Sequence, residues 1–284
     1  IGNPNVGKST LMNALVGEKL SIITSKAQTT RHRIMGIVSG EDFQIVYSDT
    51  PGILKPSYKL QESMMKFVTG ALTDADVILY VTDTVEQSER SAEIVDSIRR
   101  SGIPTDVVIN KIDLSTPEAL EALVDKWQAE IPGAQVVPTS AKENFNIEGL
   151  FRTILSLLPE GPAFYPKDTL TDKTLRFFAS EIIREKILKF YDKEIPYCCE
   201  IEIESYKEEP TIDRIAATIY VARDSQKGIL IGHKGEKLKR VGQTAREDME
   251  QFLGKKVFLQ LFVKVSDNWR NNERQLRRFG YEQE

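Results

Sequence analysis

The rhythm of apolar and polar positions changes partway along this 284-residue chain. In the first half, short and nearly unbroken apolar runs at residues 43–48, 77–82, 106–109 and 135–137 alternate with stretches of helical period at 9–15, 60–69, 88–101, 117–130 and 147–158. Unbroken runs of that length are how strands read when helices cover both faces of their sheet. Strands alternating with helices predict βαβ units, and so an α/β fold with a mostly parallel sheet. Residues 159–172 open Pro-Glu-Gly-Pro-Ala-Phe-Tyr-Pro-Lys-Asp. Three prolines and a glycine suit neither helix nor strand, which predicts a linker between a first domain over 1–158 and a second over 173–284.

The second half follows another order. Leu175, Phe178, Ile182 and Ile183 make a helical stripe. Cys199, Ile201 and Ile203 alternate with Cys198, Glu200, Glu202 and Glu204, the signature of a half-exposed strand. Ile215, Ala217, Ile219 and Val221 mark a second strand, and Val257, Leu259, Leu261, Val263 and Val265 a third. Between them Leu238, Val241, Gly242, Ala245, Met249 and Phe252 form another helical stripe. A polar, basic helix over about 268–279 ends the chain. The expected order is αββ, a helical turn, αβ and a last helix, a smaller α+β domain.

Composition adds limits. A hydrophobic fraction of 40% and a charged fraction of 28% are ordinary for a globular chain. No apolar run approaches the roughly 18 residues of a spanning helix. The only cysteines, Cys198 and Cys199, are adjacent, which argues against a disulfide scaffold or zinc site and fits a reducing, cytoplasmic setting. They read as unpaired strand residues, one facing each side. The net charge of −4 is uneven: residues 1–172 hold 16 basic against 23 acidic side chains, whereas residues 223–246 hold seven against two. A local basic stretch steers a polyanion more than the whole-chain charge does.

Candidate chemistry starts at the first residues. Gly2-Asn3-Pro4-Asn5-Val6-Gly7-Lys8-Ser9, with Thr10 following, matches the phosphate-binding pattern G-x-x-x-x-G-K-S. Glycines let backbone N–H groups turn inward around a β-phosphate, and the helix starting near Lys8 adds its positive end. The Lys8 ammonium reaches the β and γ phosphates and the Ser9 hydroxyl ligates Mg²⁺. Such a loop normally follows a buried strand, so a strand is expected ahead of Ile1. Three more motifs follow strand ends, where open α/β sheets bind ligands. Asp49-Thr50-Pro51-Gly52 places a carboxylate for Mg²⁺ and the Gly52 N–H for a γ-phosphate. Asn110-Lys111-Ile112-Asp113 offers a carboxylate to both donors on guanine's Watson–Crick edge. Thr139-Ser140-Ala141-Lys142 aims the Ala141 N–H at the guanine carbonyl. Four such motifs in this order make coincidental turns a poor explanation.

The first 158 or so residues resemble a GTPase domain of the translation-factor type, and Thr24-Ser25-Lys26-Ala27-Gln28-Thr29-Thr30-Arg31-His32-Arg33 resembles the first switch of the Era family, the bacterial ribosome-assembly GTPases. The resemblance implies a switch threonine in the Mg²⁺ and γ-phosphate shell; Thr30 is the first choice, with Thr29 beside it. Where Ras-like GTPases carry a water-orienting glutamine, this chain has Ile53. Isoleucine cannot orient water, so turnover must use another group and unassisted hydrolysis should be slow. Related GTPases with an apolar residue here often use K⁺ held partly by the asparagine matching Asn5, so the resemblance implies a K⁺ requirement. Two readings of Asn5 stand side by side, K⁺ ligand and loop stabiliser. His32 reads as a switch residue before a general base.

Gly232-His233-Lys234-Gly235 fits the GXXG loop of a KH domain, following the apolar residues 228–231 and opening a helix; the surrounding order resembles the bacterial, type II arrangement. Its glycines let an RNA backbone approach, and Lys234 and the next helix's N-terminus meet phosphates, with Lys237, Lys239 and Arg240 on that helix. About four single-stranded nucleotides would be clamped. The resemblance continues through Glu181-Ile182-Ile183-Arg184-Glu185-Lys186 and Arg277-Arg278-Phe279-Gly280-Tyr281, so it spans nearly the whole chain. It implies binding of the 3′ end of small-subunit (16S) ribosomal RNA, a role in 30S subunit maturation, and a monomer. Trp127 and Trp269 read as packing residues, His233 as a loop contact, and residues 270–278 as either a solvated face or a phosphate contact. Two rival readings are a GTP-dependent RNA chaperone that makes little use of hydrolysis, and a GTPase at the membrane surface; family members have been linked to peripheral association, though no lipidation motif or amphipathic anchor supports insertion here.

Overall fold

The computed structural model describes residues 1–85 and 92–281 and divides into two compact units, Ile1–Pro56 with Met64–Asp172, and Ser57–Ser63 with Lys173–Glu284. In the first unit, β3 (Ile78–Asp83), β4 (Thr105–Asn110) and β5 (Gln135–Pro138) form a parallel sheet in that order. The burial of all six β4 residues accounts for the unbroken apolar reading of a central strand. Helices α1 (Lys8–Val16), α3 (Ala92–Ser101), α4 (Pro117–Glu130) and α5 (Ile147–Leu157) connect and flank the strands. The helix expected over 88–101 is seen from Ala92; residues 88–91 lie outside the described residues. Tyr80, Val107, Ile109 and Trp127 pack in one apolar cluster, Trp127 with only 3% of its surface exposed, as a packing tryptophan.

A strand absent from the sequence reading is β1 (Ile34–Ser39), antiparallel to β2 (Gln44–Asp49). Gly36 sits at its centre, and a Cβ there would lie 2.7 Å from Val16 Cγ2 on α1. A residue that reads as a strand breaker is therefore the one that lets α1 lie against the strand. Residues 159–172, expected as a linker, are tied to the first unit: Ile37 N–H donates to Leu170 O, Met35 N–H to the Asp172 carboxylate, and the Gln44 side chain from Nε2 to Tyr165 O.

In the second unit β6 (Glu200–Glu208), β7 (Ile212–Val221) and β8 (Lys256–Val265) form one sheet, β7 antiparallel to β6 and parallel to β8. Alternation along β8 directs Val257, Leu259 and Leu261 toward α6 (Leu175–Phe190) and α9 (Glu236–Leu253), while Phe258 and Phe262 face solvent. Helix α6 also buries charge: Arg184 holds Glu181 through Nε at 2.7 Å, and both side chains are nearly inaccessible. An ion pair of that kind is tolerated in a core because each charge is paired. Cys198 and Cys199 differ from expectation. Cys198 ends a short helix, α7 (Ile195–Cys198), opened by Pro196, so the strand begins only at Glu200; both thiols are buried and neither is in a disulfide. Trp269 is also fully buried and donates its indole N–H to Cys198 O at 2.9 Å. The final basic helix is short, α10 (Glu273–Arg278), with Arg278 paired to Glu202. Among the described residues no helix is long and apolar enough to cross a membrane.

Candidate nucleotide site and candidate RNA-binding loop

Ile1 exchanges hydrogen bonds with β3, accepting from Val81 N and donating to Leu79 O, so the loop Gly2–Gly7 leaves from the carboxyl end of the parallel sheet. The loop folds this way because three of its residues take positive φ: Gly2 at 151°, Asn5 at 65° and Gly7 at 96°. A Cβ on Gly2 would lie 2.0 Å from Val81 O, and one on Gly7 2.2 Å from Asn110 Nδ2, so glycine is required on two counts, conformation and space. Lys8 donates from Nζ to Gly2 O (3.0 Å) and Asn3 O (2.7 Å), drawing its ammonium across the loop. Asn5 donates from Nδ2 to Ser25 O at 3.2 Å, a loop-stabilising bond.

Beside Lys8, the Ser9 hydroxyl lies 2.7 Å from Asp49 Oδ2 and 2.8 Å from Thr30 Oγ1. Thr29 instead turns into its own loop, bonding Thr24 Oγ1 and Lys26 O. Sequence reasoning missed Ser21, a buried residue whose hydroxyl donates to the same Asp49 oxygen at 2.8 Å. The other oxygen, Asp49 Oδ1, is buried with no donor among the described residues. One carboxylate with two hydroxyls and a spare buried oxygen suits Mg²⁺, which takes few protein ligands and completes its shell with phosphate and water. Thr50 and Pro51 are buried behind it, and a Cβ on Gly52 would meet Pro4 Cα at 2.7 Å, so only glycine brings that amide against the loop. Ile53 is 6% exposed and packs in the core, presenting no polar side-chain atom to the site. A cavity of about 370 Å³ runs from Asn5, Lys8, Ser9 and Thr10 past Thr29, Thr30 and Gly52 to Lys111.

The base end is cross-linked to the phosphate end. Asn110 donates from Nδ2 to Val6 O at 2.9 Å and accepts from Ala141 N at 2.9 Å. The Ala141 N–H, expected to face a guanine carbonyl, is thus already shared with Asn110. Ile112 N–H bonds Thr139 O, joining the two base-side loops. Asp113 is exposed, and the Ser140 hydroxyl holds one of its oxygens at 2.6 Å, leaving the other free to turn outward. Lys142 is exposed and paired with Glu143, which raises its pKa. His32 lies near Phe67, ring centroids 6.1 Å apart.

In the second unit Gly232, at φ 74°, and Gly235, at φ 79°, bracket His233 and Lys234 between α8 (Asp224–Ile231) and α9. Lys234 is itself left-handed at φ 47°. His233, Lys234, Lys237, Lys239 and Arg240 are all exposed. Arg240 stacks over Phe190, 4.3 Å from its centroid, and Lys237 lies over Tyr191 at 5.8 Å. Tyr191 donates its hydroxyl to Leu230 O at 2.6 Å, fixing the end of α8 just ahead of the loop; burial pushes its pKa up to about 12.

This architecture defines a P-loop GTPase domain followed by a KH domain. A family model described as "50S ribosome-binding GTPase" matches residues 1–111, and a KH domain model matches residues 194–270. GTPase Era of Alkaliphilus metalliredigens (strain QYMF) is 45% identical over 99% of this chain and 97% of its own length, and GTPase Era of Staphylococcus haemolyticus (strain JCSC1435) 44% identical over 99% and 95%. Among solved structures, Era in complex with MgGDPNP and nucleotides 1506–1542 of 16S ribosomal RNA superposes with a TM-score of 0.95 at 40% identity, over 99% of this chain and 97% of that one. A variant of Aquifex aeolicus Era bound to GDP·AlF₄⁻ gives 0.95 at 39%, with the same coverage. The chain belongs to the GTPase Era family.

Proposed function

We propose that this chain hydrolyses GTP to GDP and phosphate with Mg²⁺, and that its 173–284 domain binds the single-stranded 3′ end of 16S ribosomal RNA, so that nucleotide state governs engagement of the 30S subunit during maturation. The observation that carries the reading is the hydrogen-bonded cradle in which Asn110 ties the Gly2–Gly7 loop to the base-side loop at Ala141, while Ser9, just after the phosphate loop, holds Asp49. The Era structure holding MgGDPNP and 16S nucleotides supports the RNA half. Domain 1–158 supplies the nucleotide site, and residues 159–172, though hydrogen-bonded to that domain, carry the chain on to the second.

In this reading the amides of Asn3 to Lys8 surround the β-phosphate, and the Lys8 ammonium spans the β and γ phosphates. Ser9, Thr30 and Asp49 would hold Mg²⁺, which when bound offsets charge on the β and γ oxygens. The Gly52 N–H donates to the γ-phosphate. Because Ile53 is buried, the attacking water is oriented elsewhere and basal turnover is slow. We assign Asn5 as ligand of a K⁺ ion that offsets phosphate charge: turnover should be higher in K⁺ than in Na⁺, and Asn5→Ala should remove the difference, whereas equal rates for the parent would contradict the assignment.

Base choice falls to Asp113, oriented by Ser140. Mismatching a site built to hydrogen-bond its ligand costs a factor of about 10⁴. Asp113→Asn should therefore lose GDP affinity by that order and gain affinity for xanthosine diphosphate, read by parallel titrations. Normal GDP binding in the variant would overturn the base-site reading. On the RNA side, His233, Lys234 and the N-terminus of α9 meet phosphates, with Lys237, Lys239 and Arg240 extending the basic face.

A further inference from the structure

We propose that Asp83 is a positioning residue for the guanine nucleotide, acting through Lys111; this rests on the guanine-nucleotide reading above. Asp83 ends β3 in register with Asn110, the last residue of β4, so its carboxylate stands beside the start of the base-side loop. Its Oδ2 lies 2.6 Å from Lys111 Nζ, and its Oδ1 accepts the Val85 N–H at 3.0 Å. With both oxygens engaged and only 8% of the side chain exposed, the carboxylate has one orientation. It is absent from the lining of the nucleotide cavity, whereas Lys111 and Asn5 both line it. Whatever Asp83 does for a ligand, it does through a neighbour.

That neighbour is unusual. Lys111 holds a left-handed backbone, φ 59° and ψ 34°, a conformation that L residues other than glycine adopt at a cost. Its ammonium donates to two acceptors, Asp83 Oδ2 and the main-chain Asn5 O at the crest of the phosphate loop. The side chain is therefore stretched from the base loop to the phosphate loop, where Lys111 lines the cavity together with Asn5 and Gly7. Asp83 is the only carboxylate paired with that ammonium among the described residues. Without it, a cation two-thirds shielded from water would keep only a neutral carbonyl, and the stem would lose its fixed end.

The test is a double-mutant cycle on release of a fluorescent GDP from the full chain. Asp83→Asn keeps an acceptor for Val85 and removes the charge; it should release GDP about tenfold faster than the parent, as should Lys111→Met. The double variant should be no faster than Lys111→Met alone, because the two residues act as one unit. Asp83→Glu, which keeps the charge, should lie closer to the parent than Asp83→Asn, and it carries the comparison if the asparagine variant folds poorly. Parent-like release from Asp83→Asn, or effects that multiply in the double variant, would overturn the proposal and leave the guanine reading standing. A parent chain that retains no GDP would overturn both.

Discussion

Two glycine-turned loops each open a helix in this chain, and they use glycine for different reasons. In the phosphate loop, Gly2 and Gly7 are pressed against Val81 O and Asn110 Nδ2, and Asn110 ties that loop to the base side. In the GXXG loop, a Cβ on Gly232 would meet only the exposed Lys237 side chain, at 2.7 Å, and Gly235 has nothing within 4 Å of where a Cβ would stand; at Gly235 the positive φ alone calls for glycine. The first site is built by packing and cross-linking, so its shape exists before any ligand arrives. The second is a backbone turn displayed to solvent with charges around it. Damage to the first should be structural as well as functional, whereas damage to the second should stay with the charge it removes.

Gly7→Ala should break this contrast most severely if it is wrong. The added methyl displaces Asn110, and the backbone is strained as well, so GDP affinity should fall by about a thousandfold; a variant that binds GDP as the parent does would show that the cradle is soft. At the other loop, His233→Asp with Lys234→Asp keeps both glycines but reverses the charge. It should weaken binding of a short RNA from the 3′ end of small-subunit ribosomal RNA by about a hundredfold while GDP affinity is unchanged. Parent affinity for RNA should also fall as salt rises. Unaltered RNA binding in the double variant would move the site to the basic face of residues 270–278.

A smaller effect probes how the sheet behind the cradle tolerates charge. Asp106, fully buried on β4 with no donor to either oxygen among the described residues, has its pKa raised from 3.8 to about 6 by burial. The folded state thus holds a proton that the unfolded chain has already lost between about pH 4 and 6. Stability conferred by that proton is full below pH 4 and gone above about pH 6, a loss of about 2–3 kcal/mol. Asp106→Asn should remove this dependence, so its stability relative to the parent should rise from pH 4 to pH 7 in denaturant titrations. Parallel curves would place water or a donor beside the carboxyl.

Most of the nucleotide site is legible in sequence because its motifs are contiguous and follow strand ends. Lys8, Asp49, Asn110 and Asp113 need no partner to be recognised. Ser21 and Asp83 were not legible, since each is a single polar residue whose meaning comes from a neighbour 28 positions away. A carboxylate at the end of a strand parallel to the one bearing Asn110 was the available signal for Asp83. Strand β1 was hidden by Gly36, whose reason is contact with α1. Cys198 was misread because the alternation from Cys198 to Glu204 runs smoothly across the helix-to-strand junction that Pro196 helps to set. The GXXG loop was legible only from its context, as its four residues carry little information alone.

The central claim, that the cradle turns over GTP and does not merely hold it, is tested most directly by phosphate release from excess GTP with Mg²⁺ and K⁺, with and without the 3′-end RNA. The account predicts slow but continuing release well beyond one phosphate per chain. Release that stops at one equivalent or never begins, with and without RNA, while GTP binding is intact, would contradict it and leave a GTP-dependent RNA binder in its place.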